Sequence, residues 1–293
     1  MGSRGSIFCA AMMLVGALAL ASPAWSQSSQ SEFPSQVATQ AQNNDLQRRF
    51  GRALVDEGRD LVLNPGAGVD DVRRTLLRRA AIYEDVQEFA QAEAELTKAL
   101  QMTPPIGDTY AARGYFYMRR GRYADALADF LAGIQLEPDN ARVRFAAGRV
   151  QSALGDYAAA VTFYSEAIRL APRDPTLYLA RAEARIHLDQ PADARADYDR
   201  ALAIKLPAPS DRYFAFLGRG YSFLMQADYA GAIADFGSAI EIDPASLNAL
   251  LWRGYAREKA GQVALALDDY ERAVAVAPRD HHARDNVQRL RSN

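Results

Sequence analysis

The sequence predicts an all-α solenoid of stacked helix hairpins, and three observations carry that expectation. The first is a spacing. A small residue, an alanine twelve positions on and another small residue seven after that recur six times: Ala80/Ala92/Ala99, Gly114/Ala126/Gly133, Gly148/Ala160/Ala167, Ala182/Ala194/Ala201, Gly220/Ala232/Ala239 and Gly254/Ala266/Ala273. Successive triplets lie 34 residues apart, save one step of 38 between the fourth and fifth. A fixed period in this range marks a stacked repeat, in which no unit buries its apolar face alone. The second is punctuation: Gly121 with Pro138, Gly155 with Pro172 and Gly261 with Pro278 stop one helix and then the next. The third is a stripe of large apolar residues, Leu96, Phe130, Tyr164, Tyr198, Phe236 and Tyr270, continued by Ile134, Ile168, Leu202, Ile240 and Val274. These are expected to fill the gap between neighbouring units.

Residues 1–26 read as a signal peptide. Arg4 gives the positive start, Ile7 to Ala21 is apolar without a charge, and Ser22-Pro23 breaks the run before Ala24-Trp25-Ser26. The run is shorter than the roughly 20 residues a membrane span needs. Cleavage after Ala21, Ala24 or Ser26 all fit. Cys9 sits inside the run behind Phe8, which does not suit a lipoprotein anchor. The chain is therefore expected in the periplasm of a Gram-negative cell, or secreted.

Loss of Cys9 would leave no cysteine, excluding disulfides, thiolate metal sites and a cysteine nucleophile together. Removing Arg4 takes the formal charge from −2 to −3, with the signs interspersed, so there is no electrostatic case for nucleic acid. Residues 27–44 are rich in Gln, Ser and Ala, with only Phe33 and Val37 as larger apolar groups, and read as a disordered tether. Residues 45–72 read as a flanking helix and loop. Leu46, Phe50, Ala53, Leu54 and Leu61 recur at helical spacing before Asn64-Pro65-Gly66-Ala67-Gly68.

Six units follow, over 73–106, 107–140, 141–174, 175–212, 213–246 and 247–280, each two antiparallel helices, A then B. In the second, helix A is expected from about Asp108 to Arg120 and helix B from about Tyr123 to Leu136. The small residues fall where A must approach B closely, since a larger side chain would force the axes apart. Residues 281–293 read as a capping helix, with Ala283, Val287 and Leu290 on one face. The pattern Arg113-Gly114-x-x-Tyr117, Gly121-x-Tyr123-x-x-Ala126, Phe130, Gly133, Pro138 closely resembles the tetratricopeptide repeat. That resemblance implies a right-handed superhelix of helix pairs, with the A helices lining the concave face. The fourth unit departs from it: Pro191 stands where four of the others have an aromatic, and Pro207 arrives one place late. The four-residue excess around Leu206 to Ser210 is expected to widen the joint before Asp211.

One pairing is legible inside the chain. An arginine precedes the first small residue of a unit, with an acid sixteen residues later: Arg79/Glu95, Arg113/Asp129, Arg181/Asp197, Arg219/Asp235 and Arg253/Asp269. The third unit lacks both, showing Ala147 and Phe163. Joint loss predicts that the two touch across one hairpin; the alternative is a pair of solvated charges copied by duplication.

No catalytic constellation, cofactor site or metal site is expected. His281-His282 cannot share a helix face, His187 stands alone, and no glycine-rich phosphate loop or Gly-x-Ser-x-Gly occurs. The candidate surface is the inward face of the A helices, which the resemblance assigns to Tyr115, Met118, Arg142, Phe145, Arg149, Leu179, Glu183, Phe214, Leu217, Tyr221, Leu251 and Tyr255. Tyr115, Tyr221 and Tyr255 share one register. Exposed aromatics near arginine suit a peptide or protein partner; alternatively they pack along adjacent A helices and bind nothing. Some relatives clamp a partner's carboxylate terminus with lysine, arginine and asparagine. Of Leu77, Ala81, Ala112, Arg142 and Ala146 only Arg142 fits that set. The sequence thus predicts an exported, non-enzymatic scaffold that binds a protein or peptide, in envelope assembly, secretion or polysaccharide export. The alternative is a self-associating structural protein that forms a homo-oligomer.

Overall fold

The structure, a computed structural model, describes residues 68–204, 206 and 208–292. The signal segment, the tether and all but the end of the flanking segment lie outside the described residues. What is described is helical, with no strand among the described residues. The helices are α1 (Val69–Asp85), α2 (Phe89–Leu100), α3 (Gly107–Arg119), α4 (Tyr123–Leu136), α5 (Ala141–Ala153), α6 (Tyr157–Leu170), α7 (Pro175–His187), α8 (Pro191–Ala203), α9 (Pro209–Met225), α10 (Tyr229–Ile242), α11 (Leu247–Lys259), α12 (Val263–Val276) and α13 (His281–Arg291). The chain divides into two compact units between Leu154 and Gly155. In the first, α1 packs on α2, α3 on α4, and α4 on α5; in the second each helix from α6 to α13 packs on its successor.

Each A-to-B turn uses one device. Residues Gln87, Gly121, Gly155, Asp189, Ala227 and Gly261 all have positive φ, and their spacing repeats that of the small-residue triplets. At Gly121 the amide donates to Met118 O, and the next amide, Arg122, reaches back to Tyr117 O at 2.9 Å. These two hydrogen bonds satisfy carbonyls that the helix end leaves open. The same pair closes α9, where Ala227 donates to Leu224 O and Asp228 to Phe223 O. Only three of the six positions are glycine. A non-glycine residue in this region costs on the order of 1–2 kcal/mol, part of which glycine returns through its freer unfolded chain. Ala227→Gly is therefore expected to stabilise by about 0.5–1 kcal/mol and Gly121→Ala to destabilise by about 1. Urea midpoints at constant slope check both. The opposite turns end in caps: Asn140, Asp174, Ser246 and Asp280 each accept from an amide two or three residues on.

Packing between the two helices of a hairpin depends on the small residues. Ala92, Ala126, Ala160, Ala194, Ala232 and Ala266 are fully buried. A Cβ built on Gly114, Gly220 or Gly254 would stand 2.7, 2.8 and 2.7 Å from the rings of Phe130, Phe236 and Tyr270 respectively. These three rings seat on the glycine of their own hairpin, sixteen residues back. Phe236 also packs in one cluster with Tyr198 of the hairpin before and Ala256 of the hairpin after. Tyr198, whose own hairpin carries Ala182, instead brings its ring and hydroxyl against Gly218 of the next.

All five arginine–acid pairs form: Arg79–Glu95 at 3.2 Å, Arg113–Asp129 at 2.8, Arg181–Asp197 at 2.7, Arg219–Asp235 at 2.6 and Arg253–Asp269 at 2.6. The acids are buried and the arginines mostly covered. Arg113 and Arg181 also send a second arm to the residue sixteen positions back, at Thr97 and Ser165, and Arg219 sends one twenty positions back to Asp199, across the longer step. Each of these guanidiniums therefore ties its own hairpin to the one before. Ala147, where the third unit lacks the arginine, is fully buried.

Two boundaries differ from expectation. Helix A of the first unit begins at Val69, not 73, because the segment after Gly68 carries Asp70 and Asp71 in a first turn. The fourth-to-fifth junction at 212 falls inside α9. Its first turn starts at Pro209, and Asp211 accepts from the Ala208 amide at 3.2 Å. Proline suits that position because its missing N–H would be unsatisfied anyway. The four extra residues thus lengthen helix A by a turn.

The cap helix runs His281–Arg291 with Ala283 fully buried. Arg289 holds Glu258 of α11 at 2.7 Å and Arg291 holds Glu271 of α12 at 2.8 Å.

Candidate functional site

The A-helix residues singled out by sequence fall into two groups, one in each compact unit. In the first unit Tyr115 is half-buried, with its ring edge-on to Phe130 at 5.1 Å. Its hydroxyl donates to the Arg142 carbonyl at 3.3 Å. Burial raises the Tyr115 phenol above its ordinary range, against the charges of Arg142 and Arg149, so these three lie together. Arg142 is exposed; Met118, Phe145 and Arg149 are half-buried.

The second unit gathers Leu179, Leu217 and Tyr221 around one cluster whose centre is Ala182, Ile186, Tyr198, Phe236 and Ala256. Here the structure corrects the reading of Tyr221 as an exposed groove aromatic. It is only 9% exposed, because Trp252 of α11 covers it edge-on at 5.5 Å and small alanines let it sink. Tyr255 stays half-buried, 6.2 Å from Trp252, with the Lys259 ammonium 5.2 Å over its ring. Leu217 and Leu251 also pack on a second cluster around Ala249 and Leu250, and Phe214 is exposed. Trp252 was missed by sequence reasoning. The signal for it was the register, where earlier units carry Gly218 and Ala180.

Glu183 stands out electrostatically. One of its carboxyl oxygens is buried without a hydrogen-bond partner, and burial alone pushes its pKa from 4.5 up to about 7. Between those values the folded protein keeps a proton that the unfolded chain has released, so stability falls as pH rises through that window. Glu183→Gln is expected to leave stability unchanged at pH 4 and to raise it by about 2–3 kcal/mol at pH 8. Paired urea titrations at the two pH values read that difference. One turn on, His187 stacks on Tyr157 at 4.1 Å and burial lowers its pKa.

Among the described residues, no group of three or more His, Cys, Asp and Glu could hold a metal ion. No helix among them is long and apolar enough to cross a membrane.

The tetratricopeptide repeat family model matches residues 77–141, 111–175, 145–210 and 217–281. Among solved structures, the chain is similar to the C-terminal part of a TPR repeat-containing protein from Cytophaga hutchinsonii (16% identity, 84% of this chain and 98% of that one, TM-score 0.66). Pseudomonas aeruginosa pilF matches at 18% identity over 77% of this chain and 99% of its own, TM-score 0.60. YrrB, described as a TPR protein with an unusual peptide-binding site, matches at 19% over 66% and 97%, TM-score 0.59. These likenesses are of fold. Four overlapping family matches, the recurring small residues against their rings and the all-helical hairpins make this chain a member of the tetratricopeptide repeat family.

Proposed function

We propose that the protein is an exported, non-catalytic scaffold that binds a partner protein or peptide along the A-helix face of α7, α9 and α11, in envelope assembly, secretion or polysaccharide export. One observation carries the binding: that face keeps Leu179, Leu217, Leu251, Trp252 and Tyr255 only half-buried, a concentration of apolar and aromatic groups on one side of three helices. Aromatic anchors of this kind dominate binding energy at protein interfaces. Export is supported by the pattern of residues 1–26. The likeness in fold to YrrB, described as having a peptide-binding site, supports the reading.

The test is affinity capture from envelope extracts, comparing wild type with Trp252→Ala plus Tyr255→Ala. Partners held by wild type and lost by the variant are expected; identical capture removes this face. Fractionation with mass measurement tests export: an uncleaved chain confined to the cytosol would sink it. Self-association is the second reading, favoured by Val263 and Leu265 of α12, which are 47% and 50% exposed. A monomer by light scattering, unchanged by Leu265→Glu, would dismiss it.

A further inference from the structure

We propose that the A-helix face of α7, α9 and α11 selects a cation, a lysine or arginine side chain of its bound partner, through the carboxylate of Glu183. The inference rests on the groove-binding reading and names what the groove recognises. Glu183 occupies the register of Tyr221 and Tyr255; Trp252 covers Tyr221, so beyond the carboxyl the face presents Trp252 and the half-buried Tyr255.

Glu183 is unlike the other covered acids of this unit. Asp197 is bonded by Arg181 and Arg185, Asp235 by Arg219, and Asp269 by Arg253 and Arg257. Glu183 has no hydrogen bond or ion pair among the described residues, and the two arginines nearest it in sequence, Arg181 and Arg185, are both engaged by Asp197. A carboxylate taken from water without a donor is unfavourable, and a bound guanidinium or ammonium supplies both the opposite charge and the donors. Further along the face the half-buried Trp252 offers apolar surface to the rest of the bound segment. Tyr255 already holds the Lys259 ammonium over its ring. Asp189, at the end of α7, adds negative charge near Tyr221.

The arrangement makes recognition depend on pH. Tyr198 of α8 feels the Glu183 charge, His187 stands one turn on along α7, and Tyr221 holds the same register on the next A helix, α9. Burial raises both tyrosines and lowers the histidine. Above neutrality, then, His187 is uncharged and the phenols stay protonated, and Glu183 is the group whose charge changes between pH 6 and 8. A cation bound beside it favours the ionised form, so binding releases a proton and tightens about tenfold from pH 6 to pH 8.

The probe is a set of fluorescent 11-residue peptide pools, randomised except for a central lysine, arginine, norleucine, glutamine or glutamate, read by anisotropy against the full chain. Lysine and arginine pools are expected to bind about tenfold tighter than norleucine at pH 8. That advantage should shrink about tenfold at pH 6 and vanish in Glu183→Gln, while His187→Gln retains it. Far-UV circular dichroism of Glu183→Gln should match that of wild type, showing that the helices remain intact. Equal binding of lysine and norleucine pools by wild type, or a lysine advantage that survives Glu183→Gln, would overturn the assignment and leave the groove reading standing. If no pool binds either protein, both fall.

Discussion

Asp269→Ala is expected to cost about 3–5 kcal/mol of stability, because it strands two guanidiniums. Asp269 is 0% exposed and receives Arg253 at 2.6 Å and Arg257 at 2.7 Å. The desolvation of these charges is offset only while all are present; removing the acid leaves Arg253 covered and without an acceptor, and Arg257 with the Leu265 carbonyl alone. An exposed pair would lose under about 1 kcal/mol, so the size of the effect decides between the two readings of the pairing. Urea unfolding at pH 7 measures it. Hydrogen exchange should show the loss first in α11 and α12, since repeats of this kind couple chiefly to their neighbours. The third unit suggests a compensated replacement. Arg219→Ala combined with Asp235→Phe, the combination found there as Ala147 and Phe163, should cost less than Asp235→Ala alone. A double variant no better than the single one would mean that the joint loss carries no packing logic.

Phe236→Ala should cost a similar amount, about 3–5 kcal/mol, through the cavity left above Gly220. The ring is 0% exposed and sits where a Cβ on Gly220 would be 2.8 Å from it. Gly220→Ala meets the same ring from the other side. Overpacking of about 1–3 kcal/mol is offset in part by alanine's better helix propensity of about 1. The chain already contains an answer to that clash: the first unit pairs Ala80 with Leu96, a smaller side chain at the ring position. Gly220→Ala with Phe236→Leu is therefore expected to be more stable than the sum of the two single changes by about 0.5–3 kcal/mol. Additive costs in the double-mutant cycle would show that the glycine and ring do not share one space.

Both predictions derive from features that a linear reading exposes unevenly. The hairpins were legible because each imposes the same demand at the same offset. A close helix crossing admits only glycine or alanine, and a turn closed in the left-handed region recurs at its own fixed place. The arginine–acid pairs were legible through their joint absence in the third unit. The seating of Phe130, Phe236 and Tyr270 on a glycine was not legible, because the spacing of sixteen names two positions without saying which hairpin brings them together. The added turn of α9 was misread as a widened joint, since Pro207 and Pro209 look like breakers until one of them is found at a helix start.

The candidate face shows the same division. Its register and its aromatic character stand in the sequence, and so does the lack of catalytic groups at useful spacing. Which of those aromatics stay accessible does not. Tyr221 and Tyr255 have the same residue type at the same register, yet Trp252 covers the first and leaves the second half-open. Glu183 reads as one acid among many until burial removes its water and Asp197 takes both nearby arginines.

Period, residue size and charge pairing are local demands repeated along the chain, so the sequence by itself determined that helices form and how they pair. Exposure and proton affinity are sums over atoms contributed by several helices at once. Only the tertiary structure could decide them, because desolvation depends on everything that surrounds a group and not on the group's own place in the repeat.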